Sequence, residues 1–370
     1  DDLIEALTLA RHYGGPVVVH AITEKGRGYT PAEENIADRF HAVGPIHPET
    51  GLPVAPERFG FTSVFADEIR SLAATREDIV GITAAMMQPV GLGPMHEAFP
   101  GRVIDVGIAE AEAVTSAAGM AYEGAHPVVA LYATFLNRGF DQLLMDVALH
   151  RAGVTFILDR AGITGSDGAS HNGVWDIAMC SLIPGLRLAA PRDEDTLREE
   201  LREAISVDDA PTVLRYRKGA LPEPMPALRR VGDVDVLLDE EVAPCRARVL
   251  IVGTGACVPD AITAARRLID DGISVTVVDP RWLVPISPDL ASLALGFDAV
   301  IAVEDGIVQG GFGWALRDSL FDAGIPVRCL GVPQVLPEHG DRSEMIKDFG
   351  YDADGIEAAV RAQVERLARC

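Results

Sequence analysis

The apolar run Val154-Thr155-Phe156-Ile157-Leu158 leads directly into Asp159-Arg160-Ala161-Gly162-Ile163-Thr164-Gly165-Ser166-Asp167-Gly168-Ala169-Ser170-His171-Asn172-Gly173. A short continuous apolar run bounded by turn residues reads as a buried strand. Its end in a charged, glycine-rich loop places polar side chains and free backbone N–H groups at the carboxyl edge of a sheet. Open α/β sheets bind their ligands at that edge. Four glycines let the backbone approach a ligand closely. Arg160, Asp167, Ser170 and His171 bring a fixed cation, a carboxylate, a hydroxyl and a titratable imidazole into one segment. Ordinary surface loops carry similar residues, so the loop by itself identifies an edge and not a chemistry.

Outward from this run, strands and helices alternate. Helices are predicted over Ser63 to Ala74, Ile108 to Tyr122, Phe135 to Leu149 and Glu194 to Ile205. Strands are predicted at Ile79 to Thr83, Val103 to Gly107, Val128 to Leu131 and Thr212 to Leu214. Alternation of this kind implies a mostly parallel sheet with helices on both faces. Pro222-Glu223-Pro224-Met225-Pro226 then reads as a connection. The pattern repeats beyond it, with strands at Val249 to Val252, Val275 to Val278, Ala299 to Val303 and Val327 to Leu330. Helices at Val258 to Asp271, Asp289 to Leu295, Phe312 to Phe321 and Gly355 to Ala368 complete a second, smaller α/β domain. Before all of this, residues 1–59 offer one amphipathic helix, a predicted buried strand Val17-Val18-Val19-His20-Ala21 and a long irregular stretch. One helix and one strand cannot close a core. The expected organisation is therefore the tail of a further domain with its linker (1–59), a first α/β domain (60–225) and a second (226–370).

Composition narrows the function. The 370 residues carry a formal charge of −23, with 55 acidic and 32 basic residues. Nucleic acid and anionic membrane both call for a basic surface, so neither is expected as the partner. No apolar run is long enough to span a bilayer. Cys180, Cys245, Cys257, Cys329 and Cys370 are odd in number and lack metal-site spacing, which fits reduced thiols in a cytoplasmic protein. Gly253-Thr254-Gly255 follows a strand, but Val258 stands where a dinucleotide fingerprint needs its third glycine, so a plain strand-to-helix turn is expected.

Several blocks occur in a fixed order: Thr83-Ala84-Ala85-Met86, Asp105 to Glu110, Tyr132-Ala133-Thr134-Phe135-Leu136-Asn137-Arg138, and Asp159 to Gly173. With Thr23 to Tyr29, Phe40 to Val43, Asp279 to Trp282, Glu304-Asp305 and Gly310-Gly311, they cover nearly the whole chain. In these blocks the sequence resembles the 1-deoxy-D-xylulose-5-phosphate synthases, thiamine-diphosphate enzymes of the transketolase superfamily. The resemblance implies two α/β domains of transketolase type, pyrimidine-binding and C-terminal, preceded by the tail of a third. It implies decarboxylative condensation of pyruvate with glyceraldehyde 3-phosphate, leading to isoprenoid precursors and thiamine, by a homodimer.

By the same resemblance, Glu110 hydrogen-bonds the aminopyrimidine ring, Phe135 stacks on it, and Ile108 and Tyr29 complete the cofactor contacts. Tyr132, Arg160 and Lys218 match positions that hold the sugar phosphate, and Arg138 lies near the pyruvate carboxylate. Arginine's bidentate fork suits both anions. Asp167 and His171 match polar groups near the acceptor and the reaction centre, and His41 a histidine reaching that centre from the preceding domain. The metal-diphosphate motif of the family, Gly-Asp-Gly followed downstream by Asn, does not occur in these residues. Mg2+ ligands are therefore expected N-terminal to Asp1, and none here. The chain reads as a large fragment, inactive alone.

Two departures from the family pattern stand out. Glu110-Ala111-Glu112 replaces Glu-Gln-His, and Arg217 takes the usual proline place beside Lys218. Residues two apart on a helix do not face each other, so Glu112 should not crowd Glu110. Two other readings remain open: the pyrimidine-binding subunit of a split transketolase-like or 2-oxo-acid dehydrogenase enzyme, and a non-catalytic paralogue.

Overall fold

In the computed structural model the described residues are 1–35, 39, 40, 43, 44, 46–54 and 60–369. The chain divides into two compact units, residues 1–57 and 58–370.

The first unit holds the helices Asp2–His12 and Thr30–Glu34. Its predicted strand at Val17 to Ala21 is not formed, and Val18 is 91% exposed. The physical reason is lack of a partner: a lone strand leaves its backbone groups unpaired, and no strand among the described residues of this unit lies beside it. Tyr29 is held by a hydrogen bond from its hydroxyl to the Pro48 carbonyl (2.8 Å) and packs against Phe40.

The second unit is built on two sheets. The first contains β1 (Ile79–Thr83), β2 (Val103–Asp105), β3 (His126–Tyr132), β4 (Thr155–Asp159), β5 (Arg187–Ala189) and β6 (Thr212–Arg215). All of these pair in parallel. The second contains β7 (Arg229–Val231), β8 (Val234–Glu240), β9 (Arg248–Gly253), β10 (Ser274–Asp279), β12 (Ala299–Ile307) and β13 (Val327–Val332). A further strand, β11 (Trp282–Val284), leaves the second half and pairs antiparallel with β5, giving the order β11-β5-β6-β4-β3-β1-β2. The second sheet runs β13-β12-β9-β10-β8-β7. Val128 to Leu131 and Phe156 to Leu158 are fully buried, as strands covered on both faces must be. Helices Phe61–Thr75, Glu110–Tyr122 and Glu194–Ile205 supply that cover. The last begins at a capping box between Asp193 and Thr196, a device that stabilises a helix by about 1 kcal/mol.

The structure departs from expectation in three places. The predicted helix Phe135 to Leu149 is a 3-10 helix over Ala133–Gly139, a single α-turn over Phe140–Gln142 and a π-helix over Leu143–Ala148. Gly139 lies so close to the helix Glu110–Tyr122 that a Cβ there would stand 2.8 Å from Val114. That crossing fixes the segment against its neighbour, and the winding tightens before it and widens after it. An antiparallel hairpin, β7–β8, occupies an edge of the second sheet. Its signal was the two-residue turn Gly232-Asp233 between Val231 and Val234, a hairpin sequence with Gly232 at φ +60°. Third, β5 and the helices Gly93–Ala98, Asp176–Cys180 and Arg342–Phe349 were not anticipated, being too short for a clear period. At Gly253-Thr254-Gly255 the expected turn is present, running through Gly255–Cys257 into the helix Val258–Asp270.

Candidate active site

The parallel strands of the first sheet all end on one side, and the expected site residues of this unit lie in the segments that follow them. After β2, Asp105 turns its carboxylate back to accept from the amides of Ala85 (2.7 Å) and Gly107 (3.0 Å). This ties the ends of β1 and β2 together just before the helix Glu110–Tyr122 begins. Glu110 is the first residue of that helix and is only 4% exposed. A helix N-terminus favours a carboxylate. Glu112 is exposed and accepts from Ser116 Oγ instead, so the two glutamates diverge as their spacing requires. Ile108, in the turn before the helix, is 80% exposed.

After β3, the 3-10 helix carries Phe135 and Arg138. Arg138 Nη1 donates to Glu110 Oε1 at 3.1 Å, and the same guanidinium lies 5.0 Å from the centre of the Phe135 ring. Phe135 stacks on Tyr132 with ring centres 6.0 Å apart, and meets the His171 imidazole edge-on at 5.7 Å. After β4, Arg160 adopts a left-handed backbone, φ +58°, and lays its guanidinium 4.2 Å from the Tyr132 ring centre. Its Nη1 donates to Asp167 Oδ2 at 3.1 Å. After β6, Lys218 Nζ donates to both oxygens of Asp167 at 2.7 and 2.9 Å. Glu110, Arg138, Phe135, Tyr132, Arg160, Asp167 and Lys218 thus form one continuous line of contacts, with His171 branching from Phe135. His171 Nδ1 is 3.0 Å from Ser170 Oγ.

The loop that carries Asp167 and His171 is fixed from both sheets. Thr134 Oγ1 donates to the Ser170 carbonyl at 2.9 Å. Asn172 Oδ1 accepts from the Thr164 amide and hydroxyl, and its Nδ2 donates to the Pro337 carbonyl at 3.1 Å. From the second sheet, Asp305 Oδ1 accepts from the Ile163 amide at 3.1 Å. Arg342 donates to Asp305 Oδ2 at 2.7 Å and to the Ile163 carbonyl. Sequence reasoning overlooked Asn172 and Arg342 as supports. Arg342 comes 179 residues after its partner Ile163, a separation that no local pattern reveals.

Beneath the loop, Asp159 is buried and accepts from Thr62 Oγ1 at 2.6 Å. Burial pushes its carboxyl up to about 6, against the Thr62 hydrogen bond and the Arg160 charge. The neighbouring Tyr216 hydroxyl is buried without a hydrogen-bond partner among the described residues, and burial raises it well above the usual phenol range.

Comparison with known proteins places both domains. Residues 58–224 match the transketolase pyrimidine binding domain and residues 241–356 the transketolase C-terminal domain. The chain carries the pyrimidine-binding and C-terminal domains of transketolase. It is 54% identical to the 1-deoxy-D-xylulose-5-phosphate synthase 2 of Streptomyces coelicolor over 99% of its own length and 57% of that protein. It is 55% identical to the synthase of Clavibacter sepedonicus over 97% of its length and 55% of that protein. The chain therefore spans a little over half the length of the curated relatives it matches. Among solved structures, a split gene transketolase described as an inactive beta4 tetramer superposes with a TM-score of 0.71 at 26% identity, covering 82% of this chain and 97% of that one. Transketolase from Campylobacter jejuni shares the fold, with a TM-score of 0.65 at 19% identity over 81% of this chain and 46% of that one. The two α/β domains of transketolase type that the sequence implied are thus present.

Two further contributors were expected from the first 57 residues. His41 lies outside the described residues, and Tyr29 belongs to the first unit. Among the described residues no group of three or more His, Cys, Asp or Glu could hold a metal ion, and no helix is long and apolar enough to cross a membrane. The donor set does fit the pyrimidine end of thiamine diphosphate. A nearly buried carboxylate with one donor on one oxygen, an aromatic ring beside it and a guanidinium bridging the two make a place for a flat heterocycle with ring nitrogens.

Proposed function

We propose that this chain supplies the pyrimidine-binding half of a 1-deoxy-D-xylulose-5-phosphate synthase, condensing pyruvate with glyceraldehyde 3-phosphate. The reading rests on the line of contacts from Glu110 to Lys218, set in a chain more than half identical to such synthases. Thiamine diphosphate, when bound, supplies the chemistry for removing carbon dioxide from a 2-oxo acid and joining the remaining carbons to an aldehyde. Glu110 would hold the pyrimidine ring by a hydrogen bond and favour the tautomer that can take a proton. Phe135 would stack on the ring, with Ile108 and Tyr29 as further contacts. Arg138, already drawn to a carboxylate, would receive that of pyruvate. Arg160 and Lys218 present two cations to a phosphate, with Asp167 holding them in place until it arrives. His171 would serve the acceptor or the reacting carbon, aided by His41.

Mg2+ would be held by a diphosphate-binding domain, and a homodimer in the cytoplasm serving isoprenoid and thiamine synthesis completes the proposal. The four described cysteines are free thiols, which suits a reducing compartment. One observation favours a second reading: the close match in extent to the split gene transketolase chain. In that reading a separate partner chain brings the diphosphate site, and this chain alone is inactive.

Calorimetric titration with thiamine diphosphate and Mg2+, with and without a diphosphate-binding domain, tests the proposal. Binding is expected only with that domain present. Absence of binding in both arrangements would overturn the proposal and restore the non-catalytic paralogue. In the complete enzyme, Glu110→Ala should abolish carboligation with little loss of fold, and unchanged turnover would remove Glu110 from its role.

A further inference from the structure

In the second half of the chain, Arg317, Arg328 and Arg366 line one open groove of about 460 Å3 beside the outer edge strand β13. They come from three elements: the helix Phe312–Ser319, β13 itself and the helix Ala353–Leu367. All three are exposed, and none has a carboxylate within ion-pair distance among the described residues. By contrast, Arg192, Arg198, Arg215, Arg230 and Arg342 are each paired with acidic side chains. Gln363 lines the same groove. It is only 9% exposed, and its amide makes no hydrogen bond among the described residues.

Local reasons account for single arginines. Arg317 and Arg366 sit in the last turns of their helices, where a cation meets the negative end of the dipole. Arg328 charges an edge strand and discourages pairing with another chain. These reasons act one residue at a time. They do not explain why the three converge on one space that is also lined by an amide with no protein partner among the described residues.

We propose that this groove binds a small phosphorylated anion, one carrying a diphosphate or two phosphate groups. Guanidinium forks match phosphate oxygens bidentately, and several of them suit more than one phosphate. The volume falls within the range of single small-ligand pockets. An extended polyanion such as nucleic acid is disfavoured by the overall negative field, whereas a compact one meets only the local cations.

The structure also provides a reporter. Arg317 lies 4.7 Å from the centre of the Trp314 ring, and Trp314 is 38% exposed. An anion that recruits Arg317 draws its guanidinium off the indole and changes the fluorescence of Trp314. The test is titration of the 370-residue chain with inorganic pyrophosphate, followed by tryptophan fluorescence and calorimetry. Saturable binding is expected, weakened at least about tenfold by Arg328→Gln with Arg366→Gln. It should be abolished by Gln363→Glu, which places a resident carboxylate among the arginines. Arg160→Gln with Lys218→Gln should leave it unchanged. Trp314→Phe should remove the fluorescence change while the heat of binding persists. No saturable heat up to about 10 mM pyrophosphate would overturn the proposal, since that corresponds to less than about 3 kcal/mol of affinity. Binding lost in the Arg160/Lys218 variant and retained in the groove variants would also overturn it.

Discussion

Asp159 and Asp305 stand near the carboxyl ends of parallel strands in the two sheets, and both are almost completely buried, at 2% and 1% exposure. Burial pushes both carboxyls upward, yet they end on opposite sides of the ordinary value. Asp159 has one short hydrogen bond, from Thr62, and rises to about 6. For Asp305 the burial effect is outweighed by the charges of Arg342 and Arg215, with hydrogen bonds from Arg342 and the Ile163 amide, and its carboxyl is held low. Tyr351 also donates to it, at 3.0 Å. The contrast shows that position at a strand end does not fix a carboxyl's state; the supply of cations does. Asp305 is an anchor holding the loop over the candidate site. Asp159 is a group left able to change its protonation close beneath that loop.

The largest expected effect comes from breaking the anchor. Asp305→Asn leaves Arg342, partly buried against Ile163, without its counter-charge. Since Asp305 itself is fully buried, the loss should approach that of a broken buried pair, about 3–5 kcal/mol. Urea unfolding should show a loss of that size, together with faster hydrogen exchange at Ile163 and Thr164. A loss below about 1 kcal/mol, the worth of a surface ion pair, would mean that Asp305 is not the anchor.

Asp159→Asn should act in the opposite direction at neutral pH. A carboxyl whose folded value is raised contributes stability that is fully present below its unfolded value, 3.8, and is lost as pH rises through about 6. At pH 8 the charged form therefore costs the fold on the order of 2–3 kcal/mol, and the amide should recover part of it. Asp305 has the reverse sign: its contribution is present above the unfolded value and is lost as pH falls through its lowered folded value. Measured from pH 3 to 8, the fall in stability between pH 4 and 6 should be smaller in Asp159→Asn than in the parent chain, while Asp279 (about 6) and Glu304 (about 7) go on titrating in both. A curve identical to that of the parent chain would show that Asp159 does not titrate in this range.

The legibility of these two regions in the sequence differs for the same physical reason. The β4 strand and its loop could be read because they are contiguous: apolar run, glycines and charges lie within twenty residues. Arg160 and Lys218 were expected together, and both donate to Asp167. The supports of the loop could not be read, because Asn172 reaches Pro337 and Ile163 reaches Arg342 across the chain. β11 illustrates the same limit in the fold. Trp282 to Val284 has no strand period of its own length, and only its place beside β5 makes it one. Val17 to Ala21 is the converse, a strand-like run without a neighbour. The helix expected from Phe135 onward failed because apolar spacing records which residues are buried, and Gly139's close crossing then decided the winding.

Thr62→Val gives the smallest effect and the sharpest test of the comparison. Thr62 supplies the hydrogen bond that opposes the effect of burial on Asp159. Removing it while keeping the side-chain volume takes stabilisation from the charged carboxylate and not from the neutral acid. The titration of Asp159 should therefore move above 6, with a loss of about 1–2 kcal/mol at pH 8 and a smaller loss at pH 4, as expected for a hydrogen bond to a charged group. The low state of Asp305 should not change, because its cations are elsewhere. Carboxyl NMR shifts followed through the titration would report both groups in one sample. If the two aspartates move together, they belong to one coupled network, and the separation between a fixed anchor and a titrating group is wrong. If only Asp159 moves, the sheet edge holds two independent carboxyls, one committed to its arginines and one controlled by a single hydroxyl.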